Sequence, residues 1–422
     1  MFLKFLISAQ NIFSSKSSVQ RFDGRYITLF MIVIFYVIIY DSSYWHTKFN
    51  FIDAKTVISV IQCVSEGALP ENIYQECAYG KMFAYPTIWF IFKYIGITIE
   101  DVTWVATISA LIFYLSCFFI FGKISYVEAV VLGLVLVADP IILGVGHSNP
   151  DILIFSLYVL SIYFFHTRHT WFISYLIIFF TGMLKYYPFA SIVGLLKDKK
   201  NILWVVLFIA LSMLYVLFTI EQVRMASKVM AETFMSTSVG ATHGSGVIFK
   251  LFTFYSPFNK FNIPYQLLGT IFMLIVVACI AIKVIYYKEF IYLNISSENE
   301  QTIRMTAFNI GTVTFAASYA IGSNFDYRFI FLILTLPQIF EWISAYPKQK
   351  IGLISTCLLL LVLFTFYAHL ISGVSWFVYT IVEETANWLL FTLLLYLYLI
   401  TLPKWFLSFV YVDKLIKLFN KR

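Results

Sequence analysis

Asp41 and Asp53 stand in the polar stretch that follows the first long apolar run. A carboxylate at a membrane surface suits one task above others, taking the proton from an acceptor hydroxyl as a general base. The plainer reading is architectural. Asp53 opens a helical pattern of Ala54, Val57, Ile58, Ile61 and Val64 and would cap it, while Asp41 would be a solvated residue at a span end. His147, Asn149 and Asp151 share the segment Gly146-His147-Ser148-Asn149-Pro150-Asp151, where Asn149 and Pro150 read as a helix cap and a first helical residue. Capping leaves His147 and Asp151 unexplained. Lys185 lies in Gly182-Met183-Leu184-Lys185-Tyr186-Tyr187-Pro188, a cation in an apolar block beside a helix break, so it either binds a phosphate or snorkels to an interface. Asp326 and Arg328 either pair with each other or leave Arg328 for a phosphate, and Glu221 with Arg224 is a further pair of this kind. Outer carboxylates also admit a divalent metal. No Cys/His spacing fits zinc, and no Walker, Rossmann or serine-elbow pattern occurs.

Composition identifies the solvent of the scaffold that must hold these groups. Of 422 residues, 61% are hydrophobic and 12% charged, against about 25% charged in a soluble domain. Water-soluble, disordered, collagen-like and small disulfide-scaffold chains are excluded, and the net charge of +7 reports membrane orientation, not a nucleic-acid partner. The runs predict an all-α polytopic membrane protein with about 11 to 12 transmembrane helices. Spans are expected near 26–40, 102–121, 126–145, 152–165, 170–184, 186–196, 202–220, 264–287, 305–322, 327–345, 351–371 and 387–402, with 170–196 read as a broken or re-entrant pair. Lys and Arg before the first span, in Lys197-Asp198-Lys199-Lys200 and in the tail put both termini in the cytoplasm. Phe2 to Ala9 is too short for a signal-peptide core and is kept in the mature chain.

Residues 1–25 thus read as a cytoplasmic segment, 26–402 as one polytopic domain and 403–422 as a cytoplasmic amphipathic tail. Chemistry is expected in the long outer loops 41–84 and 221–262, the first carrying an interfacial helix from Ala54. Residues 83–97, with Pro86 and Lys93, read as a second interfacial or re-entrant helix. Cys63 and Cys77 share the first loop and would form a disulfide if it faces an oxidising compartment.

The order of these features resembles the GT-C glycosyltransferase superfamily. The features are an aspartate-bearing loop after span one with Phe51-Ile52-Asp53-Ala54, then Tyr74, Phe83-Ala84-Tyr85-Pro86, Gly146 to Asp151 and Lys185-Tyr186-Tyr187-Pro188. The chain is most similar to polyprenyl-phosphate-mannose-dependent transferases and to the mannosyltransferase that adds the first mannose to GPI anchors. The match covers residues 26 to 200, with Asp326-Tyr327-Arg328 as a loose addition. Two departures stand out: the Asp-x-Asp pattern is absent, which leaves the base open between Asp41 and Asp53, and the Gly-Asn pair is interrupted by His147 and Ser148. The resemblance implies inverting transfer of a hexose such as mannose from a polyprenyl-phosphate donor to a glycan or glycolipid acceptor. Asp53 or Asp41 would be the base; Lys185, Arg328 and Arg224 would hold the phosphate; Tyr85, His147, Asn149, Asp151, Tyr187 and Asp326 would line the sugar or acceptor site. The rival readings are a transporter or flippase for lipid-linked sugars and a polysaccharide polymerase. Richness in Ile, Phe, Tyr, Lys and Asn points to an AT-rich bacterial source and so to the inner membrane.

Overall fold

In a chain this apolar the backbone has no partner in lipid but itself, and the fold is accordingly helical. The structure, a computed structural model, describes residues 23–40, 42, 48–196, 201–236, 242–250, 265–286, 299–320, 324–371 and 375–403. Asp41, residues 237–241 and 251–262 of the second outer loop, and the expected tail helix from Trp405 lie outside the described residues.

In chain order the first half forms α1 (Arg25–Ile39), α2 (Ile52–Ser65), α3 (Ile73–Glu76), α4 (Val102–Phe121), α5 (Tyr126–Leu136), α6 (Asp139–Gly146), α7 (Pro150–Phe165) and α8 (Trp171–Leu184). The second half adds α9 (Ile202–Phe218), α10 (Ile220–Ser236), α11 (Tyr265–Tyr286), α12 (Asn299–Ala320), α13 (Leu336–Ala345), α14 (Lys350–Tyr367) and α15 (Trp376–Ile400). Local signals set several starts. Ser125 and Glu128 make a reciprocal capping box at α5, and Asn149 caps α7 with Pro150 at its first position. The short pairs β1 (Thr242–His243) and β2 (Asn324–Phe325) run antiparallel, with Thr242 opposite Phe325 and His243 opposite Asn324.

Among the described residues, five helical segments are long and apolar enough to cross a bilayer: Ile99–Phe121, Leu267–Ile285, Asp326–Ala345, Lys350–Leu370 and Phe377–Ile400. Counting α5 with α6, bent by 54°, and α9 with the start of α10, bent by 71°, as one span each brings the number to seven. α1, α7 and α8 are apolar but shorter. The expected count of about 11 to 12 crossings is therefore reached only in part by helix length and composition. The difference has a cause, since runs that read as continuous are broken where Asp139-Pro140 and Thr219 interrupt the helical ladder, while the break expected at Lys185 is present.

Asp326–Ala345 is the central span, with 78% of its most apolar stretch buried, whereas Ile99–Phe121 and Leu267–Ile285 are 28% and 22% buried and form the rim. α12 packs on both the 3-10 helix Tyr187–Leu195 and the 3-10 helix Asp326–Thr335. Such close approach needs a residue without a side chain: a Cβ on Gly311 would stand 2.8 Å from the Phe331 carbonyl oxygen. A third 3-10 helix, Thr87–Ile95, buries Trp89 and Phe90 while Ile91, Tyr94 and Ile95 stay exposed, so the expected interfacial segment is amphipathic.

Candidate functional site

The site is assembled where α2 meets the turn between α6 and α7. Gly146 lies so close to the Lys48 carbonyl that a side chain there would collide with it, and the Phe51 N–H donates to the Gly146 carbonyl at 3.0 Å. Phe51 takes a left-handed conformation, φ 52°, which turns the chain into α2. In the first turn of α2 the Ile52 N–H donates to Asn50 Oδ1 at 3.1 Å, and those of Asp53 and Ala54 donate to the His147 carbonyl at 3.2 and 3.4 Å. A main-chain oxygen thus satisfies orphan donors of the helix start, and the Asp53 carboxylate is left for another task.

That carboxylate receives a hydrogen bond from Asn149 Nδ2 at 2.6 Å, and His147 Nδ1 lies 3.9 Å from the same oxygen. Both side chains are about a quarter exposed, Asp53 at 24% and His147 at 23%, so they are the accessible members of the group. Burial pushes the Asp53 carboxyl above its ordinary value, against the Asn149 hydrogen bond and the charges of His147 and Lys185. His147 is lowered by burial, with the Asp53 charge pulling the other way.

Behind this face the groups are buried. Lys185, at the end of α8 where the chain turns extended, donates to Asp151 Oδ1 at 2.6 Å and to Asn149 Oδ1 at 2.9 Å. Tyr187 donates its hydroxyl to Asp151 Oδ1 at 2.5 Å. Arg328 stacks on the Tyr187 ring, its guanidinium carbon 4.8 Å from the centroid, and its Nε faces Asp151 Oδ2 at 3.8 Å without closing a hydrogen bond. The Lys185 ammonium lies 5.5 Å from the centre of the Tyr85 ring and 5.8 Å from that of Tyr327. Trp89 donates its indole N–H to the Leu184 carbonyl at 3.1 Å, tying the interfacial segment to the helix end that presents Lys185.

The structure therefore gathers Asp53, Tyr85, His147, Asn149, Asp151, Lys185, Tyr187 and Arg328, from segments far apart in sequence. It does not bring Arg224, which pairs with Glu221 on α10 with both side chains mostly exposed. α10 still touches the first loop, where Gln222 accepts from the Thr87 N–H at 3.1 Å. Asp326 lies within electrostatic reach of Glu383 and Glu384 on α15. This second polar cluster was not anticipated: Glu384 accepts from Asn387 Nδ2 at 3.2 Å and from the Tyr319 hydroxyl at 3.5 Å. Two adjacent acids in an otherwise apolar helix were the available signal. Cys63 and Cys77 are joined as a disulfide, which staples α2 to the residue after α3. Among the described residues no group of three or more His, Cys, Asp or Glu side chains is arranged to hold a metal ion. No protein-family model, curated protein or solved structure matches the chain.

Proposed function

We propose that the protein is an integral-membrane glycosyltransferase that moves a hexose, mannose in the first instance, from a polyprenyl phosphate to a glycan or glycolipid at the extracytoplasmic face. The observation that carries this reading is the pairing of an accessible carboxylate, Asp53, oriented by Asn149, with cations held directly behind it. Asp53 takes the proton of the acceptor hydroxyl while that oxygen attacks the anomeric carbon from the face opposite the phosphate. The bond from the anomeric carbon to the phosphate oxygen breaks, the configuration inverts, and polyprenyl phosphate departs with the electron pair. Arg328 is the better phosphate partner of the two cations, because its buried Nε has no hydrogen-bond partner among the described residues, whereas the Lys185 ammonium is held by two acceptors. His147 and Tyr85 border the accessible side and would meet sugar or acceptor hydroxyls.

The setting supports the same reading. A lipid-borne donor reaches a site at the end of a helical bundle through the bilayer, so no large soluble domain is needed. We further propose that α1, α7, α8, α12 and the 3-10 helix Tyr187–Leu195 also cross, bringing the count to about twelve, with both termini in the cytoplasm of a bacterial cell. The test is transfer by purified protein from synthetic polyprenyl-phosphate mannose to membrane glycolipid extracts. Product from wild type and none from a folded Asp53→Asn variant is the expected result; equal product from both would remove Asp53 as the base.

A further inference from the structure

Lys185 has the residue type of a phosphate ligand, yet its surroundings give it another part. An ammonium has three hydrogens. Two are engaged, with Asn149 Oδ1 and Asp151 Oδ1, and the remaining side faces the rings of Tyr85 and Tyr327. The side chain is 7% exposed. The third hydrogen lies on the side of the two rings, so an incoming phosphate would have to displace them or break the buried pair to reach it.

Asn149 turns this arrangement into a relay. Its Oδ1 accepts from Lys185 and from the Asp151 N–H, both pure donors, so the amide cannot be flipped. Its Nδ2 must then point at Asp53, as the 2.6 Å contact shows. A cation on the carbonyl side of an amide draws electron density from the nitrogen and makes its N–H a stronger donor. We propose that Lys185 is a positioning residue: through Asn149 it holds Asp53 oriented and ionised, ready to accept a proton, and it does not touch the substrate.

This rests on the transferase reading for its kinetic consequence but not for its physical one, and the experiment separates the two. Asp53 is faced by His147 from the turn before α7, by Asp151 on α7, by Lys185 after α8, by Tyr85 in the first loop and by Tyr327 on the central span, with Arg328 next to Asp151 behind it. Its protonation can be followed by infrared titration of the full-length protein in lipid nanodiscs, as the carboxyl band that disappears in Asp53→Asn. Removing Lys185 alone would strand a buried carboxylate, so the variant is Lys185→Met combined with Asp151→Asn. The milder variant is Asn149→Ser, which keeps a helix cap but loses the N–H to Asp53. Asn149→Ser should raise the titration midpoint of that band by about one to two pH units, the worth of a hydrogen bond to a charged group, and the double variant, which keeps that bond and removes the opposing Asp151 charge together with that of Lys185, should raise it by less. Because both act along one path, the shifts in the triple variant should not add. The acid limb of the rate profile should move the same way, with KM for polyprenyl-phosphate mannose unchanged. A midpoint that stays put in both variants while that KM rises overturns the proposal and makes Lys185 a phosphate ligand. A shifted band in a protein that transfers no sugar leaves the relay standing and removes the transferase.

Discussion

Asp53 is pulled in two directions, and the balance decides how the protein should respond to acid. Burial raises its proton affinity, while Asn149, His147 and Lys185 lower it, and burial is the larger influence. The base form is the carboxylate, so transfer should fall as pH drops through a midpoint above the usual carboxylate value of about 4. A rate profile taken from pH 4 to 8 checks this, and a limb at the ordinary value would mean that Asp53 is not the titrating group. Loss of the base itself should cost about 10² to 10⁴ in rate with an unchanged melting temperature. Asp151 belongs to stability instead. It is fully buried against Lys185, so Asp151→Ala strands a cation and should cost about 3 to 5 kcal/mol, read from thermal melts in detergent. In the sequence His147, Asn149, Asp151 and Lys185 stood out because polar groups at membrane depth demand partners. Which one partners which was not legible, since Asn149 and Lys185 meet only after α7 and α8 fold back on each other.

At the scale of elements, the positions that matter most are those where a run breaks. The 3-10 helices Thr87–Ile95, Tyr187–Leu195 and Asp326–Thr335 each begin next to a site residue: Tyr85, Lys185 and Arg328 respectively lie at or just before their first turns. Such helices are seldom this long, and here their starts present side chains sideways into the site. Pro86 and Pro188 marked two of these starts in the sequence, whereas the third has no proline and read as an ordinary span. Periodicity alone does not distinguish a 3-10 run from an α-helix when every face is apolar. The turn at Gly146 gives the sharpest test of how elements place the base. In Gly146→Val the new side chain must push the Lys48 to Phe51 segment away, and α2 would lose the His147 carbonyl that holds its first N–H groups. A displacement of about 1 Å at Asp53 can cost about 100-fold in kcat, with a much smaller change in melting temperature. A variant with normal kcat would show that α2 is positioned by its other contacts.

For the whole molecule, the compartment faced by the first loop decides whether the proposed chemistry has its substrate. Cys63 and Cys77 are joined across a sequence separation of 14, and closing a loop of that size is worth about 3 kcal/mol. Such a bond persists on the oxidising side of a membrane, while the Lys197-Asp198-Lys199-Lys200 loop is basic as cytoplasmic loops are. The two indicators are independent in origin and agree only if an odd number of crossings separates them. The bends at Asp139-Pro140 and Lys185 make that parity impossible to count from hydropathy alone. A membrane-impermeant thiol reagent resolves it in a background with Cys117, Cys279 and Cys357 replaced. After mild reduction of intact cells, Cys63 and Cys77 should label at once, whereas a cysteine placed at Lys199 should label only once the membrane is opened. In the same background Cys63→Ser and reductant should lower the melting temperature by equal amounts. Labelling in the opposite sense would turn Asp53 toward the cytoplasm, where the disulfide would not last and a lipid-linked donor presented on the outer leaflet would lie beyond its reach.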